Sequence, residues 1–282
     1  MILKKILLIA LVVIITSGVL WFLINNFLIK RPQVPEEDEE GLFRSAQELF
    51  AQGKYKETAE KYQKLINEYP NSPLIDEALF SLGFCYKNMN NINGAITAFE
   101  RIITEYPDSE HAPRALYEAS GLYLNSNPQK AQGYLDIIVK DYPESGKVVS
   151  LARDLNSRVS ASLLFDEAQT LFGQGKYEEA LPKYEQFIDT YPGAGYTGQA
   201  LLSIAFCHER LKDTEQALIY FERVINEFPE SAYAPDALYY ASELHNLNGN
   251  NAKAKEYCQK ILDDYPSTRD WLILKAQQCL ES

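Results

Sequence analysis

Hydrophobic residues in this chain form one continuous run near the N-terminus and are interspersed with polar residues after it. Helix-forming residues dominate the second, much longer part, and no stretch shows the sustained two-residue alternation of a β-strand bounded by turn residues. Hydrophobic residues make up 46% of the 282 residues, which is enough to bury a core. The pattern therefore predicts an all-α protein with one apolar N-terminal segment.

The apolar run covers residues 6–29 and contains no charged residue. As a helix it would be about 36 Å long, enough to cross a hydrocarbon layer of about 30 Å. We expect an uncleaved transmembrane anchor over 6–29 behind a short basic N-terminus, residues 1–5. A cleavable signal peptide is the alternative, although Thr16-Ser17-Gly18 makes a poor cleavage site. No cysteine lies near the run, so a lipoprotein signal is not expected.

The charges beside the apolar run bear on its orientation. Lys4 and Lys5 precede it and Lys30 and Arg31 follow it. The basic residues that the positive-inside rule counts are therefore nearly balanced between the two sides. We expect the N-terminus inside and the rest of the chain on the periplasmic side, with a cytoplasm-facing protein as the alternative. Residues 30–40 hold two prolines and five acidic residues, and this composition predicts an extended acidic linker.

An aromatic residue followed by proline recurs along the remaining chain. The prolines of these pairs are 37, 36, 49, 37 and 37 residues apart. A period in the mid-thirties is typical of a helical hairpin repeat, and the residue before a proline is disfavoured in a helix, so each pair should end a second helix. The pairs are Tyr69-Pro70, Tyr106-Pro107, Tyr142-Pro143, Tyr191-Pro192, Phe228-Pro229 and Tyr265-Pro266.

Two positions in each repeat carry a small residue, as two closely packed helices require. On first helices they are Ala46, Gly83, Ala119, Ala168, Ala205 and Ala241. On second helices they are Thr58, Ala95, Ala131, Ala180, Ala217 and Ala254. With the aromatic residues four positions further on and the Gly-Lys-Tyr turns at 53–55 and 175–177, the pattern resembles the tetratricopeptide-repeat (TPR) family over about 41–282. The resemblance implies a right-handed superhelix of about six helical hairpins.

A longer period shows that three repeats have been duplicated. Shifting the chain by 122 residues aligns 43–122 with 165–244, with 36 identities in 80 positions. We therefore predict a first half at 41–145, a linking helix at 146–160 and a second half at 161–282. The second half would end in a capping helix, 270–281, because an open array must cover its last apolar face.

Charge and residue types argue against several kinds of chemistry. Residues 32–282 hold 23 basic and 39 acidic residues, a net charge of −16 that repels nucleic acid. His111, His208 and His245 are each replaced by tyrosine in the other half, which a catalytic base or metal ligand would not tolerate. We expect no catalytic, cofactor or metal site and no enzyme activity. Cys85 and Cys207 are expected to be buried, whereas a disulfide between Cys258 and Cys279 is left open.

TPR proteins bind partners on the inner surface formed by their first helices, so the resemblance implies a binding site there. We expect a groove on this surface for an apolar or basic peptide segment. The alternative is that its aromatic residues only pack between neighbouring helices. The candidates are Phe43, Gln47, Phe50, Glu77, Phe80, Phe84, Lys87, Leu116, Tyr123, Phe165, Gln169, Phe172, Leu202, Phe206, Glu209 and Arg210, with Ser120, Leu238 and Ser242 further along.

The Tyr-Pro turns and the Ala-Pro helix starts at 112–113 and 234–235 also resemble bacterial cell-envelope TPR proteins. These are the outer-membrane-assembly lipoproteins of BamD type and the Tol–Pal-associated proteins of YbgF type. This chain departs from them in lacking a lipobox cysteine and an N-terminal coiled coil, and its anchor looks like that of translocon- and chaperone-associated TPR proteins. The resemblance implies a membrane-anchored scaffold or adaptor for envelope complexes. A carbohydrate- or peptidoglycan-binding module is the alternative.

Overall fold

The computed structural model describes residues 37–281, and these contain thirteen α-helices and no β-strand. The predicted anchor at 6–29 lies outside the described residues, as do the basic N-terminus and the linker up to residue 36. No helix within 37–281 combines the length and the hydropathy needed to cross a membrane. The described part is all-α, as predicted from the sequence.

The helices follow one another as antiparallel pairs joined by short turns. They are α1 Glu39–Ala51, α2 Tyr55–Glu68, α3 Ile75–Asn88, α4 Ile92–Glu105, α5 Ala112–Tyr123, α6 Pro128–Asp141, α7 Lys147–Gly173, α8 Tyr177–Thr190, α9 Thr197–Arg210, α10 Thr214–Glu227, α11 Ala234–Leu247, α12 Asn251–Asp264 and α13 Asp270–Glu281. Every second helix of a pair ends one residue before an aromatic-proline dipeptide, which confirms the predicted stop signal.

The chain divides into two compact units. The first ends at Ile102, near the end of α4, and the second begins at Ile103 and contains α5 to α13. In the first unit the core is built from residues such as Leu42, Tyr62 and Phe99, whose side chains are fully buried or nearly so. The core of the second unit includes Tyr184 and Phe221, which are completely buried.

The predicted small positions lie where paired helices come closest. All twelve are buried. Gly83 shows why, because a Cβ atom on this residue would lie 2.5 Å from Cε1 of Phe99 on the next helix. Any larger residue would therefore push α3 and α4 apart. Thr58, the one polar member, donates its hydroxyl to the carbonyl of Lys54 at 2.9 Å, so its buried oxygen has a partner.

Two predicted boundaries are corrected. Residues 147–160 are not a separate linking helix, because they continue without a break into the next first helix and form the 27-residue α7. The linker also ends earlier than residue 40, since α1 begins at Glu39 and the carboxylate of Asp38 accepts a hydrogen bond from the backbone N–H of Gly41 at 2.8 Å. Acidic residues stabilise a helix N-terminus, and this effect explains why the acidic run becomes the first turn of a helix.

Tyrosines of the aromatic-proline pairs link consecutive repeats within the second unit. The hydroxyl of Tyr142 donates to the carbonyl of Pro107 at 2.7 Å, and that of Tyr265 donates to Pro229 at the same distance. Tyr191 follows the 49-residue interval, and its hydroxyl makes no hydrogen bond within the described part of the chain. Two of the aromatic-proline pairs in the second unit thus carry this link, whereas Phe228 lacks the hydroxyl and Tyr191 makes no such bond.

Residues 270–281 form α13, which packs against α12 and α11 at the position predicted for a capping helix. Leu272 and Ala276 are its fully buried side chains. A disulfide joins Cys258 on α12 to Cys279 on α13, and Arg269 forms an ion pair with Asp236 on α11. The last apolar face of the second unit is therefore covered by a short helix that is held covalently.

Candidate functional site

The predicted groove residues differ in how much of each side chain reaches the surface. Four are buried, namely Phe43, Leu116, Phe165 and Leu202. Three are exposed, namely Gln47, Gln169 and Arg210. The others are half-buried: Phe50, Glu77, Phe80, Phe84, Lys87, Tyr123, Phe172, Phe206 and Glu209. Of the residues further along the same series, Ser120, Leu238 and Ser242 are buried.

In the first unit, Phe80 and Phe84 lie one turn apart on α3 and meet edge to face, with ring centroids 5.0 Å apart. Both rings also contact the buried Phe99 of α4, at 6.1 Å and 5.6 Å. The ammonium group of Lys87 lies 5.4 Å from the centre of the Phe84 ring. The two half-buried rings therefore pack on the core with one side and leave the other at the surface, next to a cation.

In the second unit, Phe206 on α9 occupies the corresponding position. Its ring meets Phe221 of α10 at 5.4 Å and Tyr240 of α11 at 4.7 Å, both edge to face. The charged neighbours differ from those of Phe84, because Glu209 and Arg210 lie on the next turn with Arg210 Nε 3.8 Å from the Glu209 carboxylate. Each unit thus has a half-exposed phenylalanine with different charged residues beside it.

The remaining half-buried aromatic candidates contact aromatic residues of the following helix. Phe50 meets Tyr55 at 5.5 Å, and Phe172 meets Tyr177 at 5.3 Å, so each of these phenylalanines packs on the tyrosine of a Gly-Lys-Tyr turn. Tyr123 is 6.1 Å from Tyr134. Packing inside the hairpin therefore accounts for much of the apolar character that the sequence suggested for a groove.

A second group of polar residues lies where α10, α11 and α12 meet. The hydroxyl of Tyr257 donates to the carboxylate of Glu222 at 3.0 Å, and the Nε2 atom of His245 lies 3.9 Å from the same oxygen. Burial, together with this hydrogen bond to an acceptor, raises the pKa of Tyr257 well above its usual value. The phenol stays protonated, and the group is arranged to hold three helices together.

Cysteines and histidines lie on several elements of the described chain, and Cys207 and His208 are neighbours on α9. Cys85 and Cys207 are free and buried, as predicted, and burial raises the pKa of each thiol to about 12. His208 is buried with Nδ1 3.4 Å from the carboxylate of Asp213. Within residues 37–281, no group of three or more histidine, cysteine, aspartate and glutamate residues is arranged to hold a metal ion.

Sequence reasoning missed Tyr196, which lies in the turn before α9. Its ring stacks on the buried Phe165 with centroids 5.0 Å apart and planes at 14°, while 47% of the residue remains exposed. The signal was present in the sequence, because this turn reads Tyr-Pro-Gly-Ala-Gly-Tyr at 191–196 and lacks the serine or threonine of the other turns.

Comparison with known proteins gives a family for more than half of the chain. The YfiO model, described as an outer membrane lipoprotein, matches residues 35–211. A tetratricopeptide-repeat model matches residues 199–231 and 236–268. A search of curated proteins finds no significant match.

Similar solved structures are TPR proteins. One is the C-terminal part of a TPR repeat-containing protein from Cytophaga hutchinsonii, with 17% identity, a TM-score of 0.44, and 83% of this chain and 98% of that chain covered. Another is a TPR protein from Parabacteroides merdae, with 14% identity, a TM-score of 0.35, and coverage of 86% and 85%. The TPR domain of P58(IPK) has 17% identity, a TM-score of 0.42, and coverage of 87% and 66%.

Proposed function

This chain belongs to the YfiO family of outer membrane lipoproteins, and from that membership we propose that it is a scaffold or adaptor for protein complexes of the bacterial cell envelope. It binds segments of other proteins and catalyses no reaction. Its location would be the periplasmic side of a membrane to which the chain is anchored. TPR arrays are built for such work, since stacked hairpins present an extended surface to a partner.

The observation that carries the proposal is the pair of half-exposed rings, Phe84 and Phe206, at corresponding places in the two units. Each ring is fixed by contact with a second-helix phenylalanine and carries charged residues beside it, Lys87 in one unit and Glu209 with Arg210 in the other. Fixed aromatic rings with a polar edge are typical of interaction hot spots. Two related peptide segments, apolar with different charges, would match the two surfaces.

The disulfide between Cys258 and Cys279 supports the proposed compartment. Structural disulfides persist in oxidising compartments such as the periplasm and are rare where thiols are kept reduced. A chain facing the cytoplasm would hold these two cysteines as thiols. The proposed orientation, with the N-terminus inside, therefore agrees with the covalent structure of the last two helices.

The means of attachment is a further part of the proposal. We propose that the apolar run at 6–29 anchors the protein as an uncleaved transmembrane helix. Its length and lack of charge support this assignment.

Crosslinking in intact membranes, followed by purification of the anchored protein, tests the adaptor role. We expect envelope proteins to be captured by the wild type, and capture of each partner to weaken when its own ring is replaced, in Phe84→Leu or Phe206→Leu. Leucine keeps apolar bulk at the site, so both variants should fold. Unchanged capture by both variants would rule out this surface as the binding site.

Fusions at the C-terminus test the location. Alkaline phosphatase fused after Ser282 should be active, and green fluorescent protein in the same place should be dark. The reverse pair of results would assign the repeats to the cytoplasm and contradict the proposed compartment. Release of the protein into the soluble fraction would indicate a cleaved signal in place of the anchor.

A further inference from the structure

A cleft of about 620 Å³ lies in the second unit between the first half of α7 and the turn at 190–196. Its volume falls within the range of about 300–1,000 Å³ that small-molecule sites occupy. It occurs at the 49-residue interval between aromatic-proline pairs, and it is lined by Tyr191, whose hydroxyl makes no hydrogen bond within the described residues. The residues added to α7 therefore create a cleft beside the turn.

Tyr196 forms an aromatic platform in this cleft. Its ring is stacked on the buried Phe165, which fixes the orientation of one face, and almost half of the residue is exposed. The neighbouring Gly193 and Gly195 add to the available space, because a Cβ atom on either would meet no atom within 4 Å. A flat ligand can therefore approach the platform without rearrangement of the turn.

The rest of the lining is neutral or basic. Ser157, Ser162 and Thr190 supply small hydroxyl groups, and Arg158 is the charged side chain among the lining residues. Arg158 lies 3.9 Å from Asp154, but both side chains are 74% exposed, so this ion pair is weak and leaves the guanidinium accessible. The absence of acidic residues from the lining contrasts with the net charge of −16 of residues 32–282.

We propose that this cleft binds a saccharide ring of a glycan chain, stacked on Tyr196. A sugar has an apolar face of C–H groups, which packs on an aromatic ring, and a rim of hydroxyl or amide groups, which pair with small hydroxyl side chains. Arg158 would add a charge-assisted hydrogen bond to a sugar that carries a carboxylate. The inference does not depend on the adaptor role, since none of the rings proposed for partner binding lines the cleft.

Saturation-transfer NMR and titration calorimetry on the full-length protein in detergent test the proposal. The probes are chitotetraose, which is neutral, and the tetrasaccharide of alternating N-acetylglucosamine and N-acetylmuramic acid, which carries carboxylates. We expect both to bind, with the strongest saturation at the protons of one sugar face. Tyr196→Leu should weaken both by at least about tenfold, as removal of a central aromatic contact does.

Matched variants separate stacking from general effects. Leucine is the residue at position 74, which corresponds to 196 in the first half, so Tyr196→Leu keeps an apolar residue over Phe165. Tyr196→Phe should retain binding within about threefold, since the stacking face is kept. Arg158→Gln should weaken only the carboxylate-bearing probe. Trp271→Ala removes another exposed aromatic ring, outside the cleft, and should change neither affinity.

Three outcomes would overturn the proposal. The first is that the wild type binds neither saccharide. The second is equal binding by the wild type and Tyr196→Leu, and the third is an equal loss in Trp271→Ala. If neither saccharide binds while an apolar peptide shields Tyr196 from solvent, the cleft would be assigned to a protein partner. Partner capture through Phe84 or Phe206 can succeed or fail in the same protein without affecting any of these results.

Discussion

The ring of Phe206 meets the ring of Phe221 edge to face, with centroids 5.4 Å apart and planes at 81°. Phe84 and Phe99, 122 residues earlier, meet at 5.6 Å and 79°. In each pair the second ring is completely buried, whereas the first is only half-buried. Each half-buried ring thus packs on the core and also remains available to a partner. Its replacement should affect both stability and partner binding.

We expect Phe84→Ala and Phe206→Ala each to lower the free energy of unfolding by about 2–3 kcal/mol, less than for a fully buried phenylalanine. Chemical denaturation of each variant measures this loss. Phe84→Leu and Phe206→Leu are the controls and should lose about 1 kcal/mol or less. A loss of 4 kcal/mol or more in the alanine variants would mean that these rings are core residues with no role at the surface.

Reduction of the Cys258–Cys279 disulfide should destabilise the end of the second unit. The bridge closes a loop across a sequence separation of 21 residues, and such a link stabilises by about 3 kcal/mol through the unfolded chain. Hydrogen exchange should show faster opening of α12 and α13 in reductant, and the variant Cys279→Ser should behave like the reduced protein. Cys207→Ala removes a free cysteine and is the control, because this variant should still respond to reductant as the wild type does.

Equal exchange of α13 with and without reductant would contradict this prediction. It would mean that the apolar contacts of Leu272 and Ala276 and the ion pair of Arg269 hold the helix without covalent help. The prediction rests on how few side chains of α13 are fully buried.

Stability should fall at alkaline pH. Burial raises the pKa of Cys85 and Cys207 from 9.0 to about 12, so folding favours the protonated thiols. Their contribution is complete below pH 9, the unfolded value, and is lost progressively as the pH rises toward about 12. Denaturation curves at several pH values should show this decline, and Cys85→Ala with Cys207→Ala should make it shallower. An unchanged slope in the double variant would contradict the assignment.

Lys212→Gly should stabilise the second unit. Lys212 has a φ of 66°, a left-handed conformation that costs a residue with a side chain about 1–2 kcal/mol, whereas the turn of the preceding hairpin has Gly175 at a φ of 76°. Part of that gain is lost because glycine has more freedom in the unfolded chain, so we expect about 0.5–1 kcal/mol. Thermal unfolding measures it. Gly175→Ala is the reciprocal control and should destabilise by a similar amount or more.

The helices could be predicted closely because their signals are local. Proline after an aromatic residue ends each second helix, and a buried small residue such as Gly83 is required wherever two helices touch. The capping helix at 270–281 was predicted from the same logic, since the last face of an array must be covered. Such features depend on backbone geometry that each short segment determines for itself.

The candidate site was harder to predict because burial depends on contacts between helices. By the repeat pattern, Phe43 and Phe165 stand at first-helix positions that are expected to lie at the surface. Both are instead buried against aromatic residues of the second helices. The continuity of α7 was missed although residues 147–172 contain no proline or glycine, which favours a single unbroken helix. Tyr196 was missed because stacking on Phe165 joins residues 31 positions apart, across a whole hairpin.

The tyrosine–proline hydrogen bonds also bear on how such a chain can lengthen. Tyr142 and Tyr265 each reach back by a single repeat, to Pro107 and Pro229, so a copied block of hairpins brings its own internal links with it. The residues inserted between the two blocks leave this link unchanged in each of them, and Tyr191 beside the insertion makes no such bond. The cleft beside α7 therefore lies where one copy follows the other, apart from the link that each copy carries.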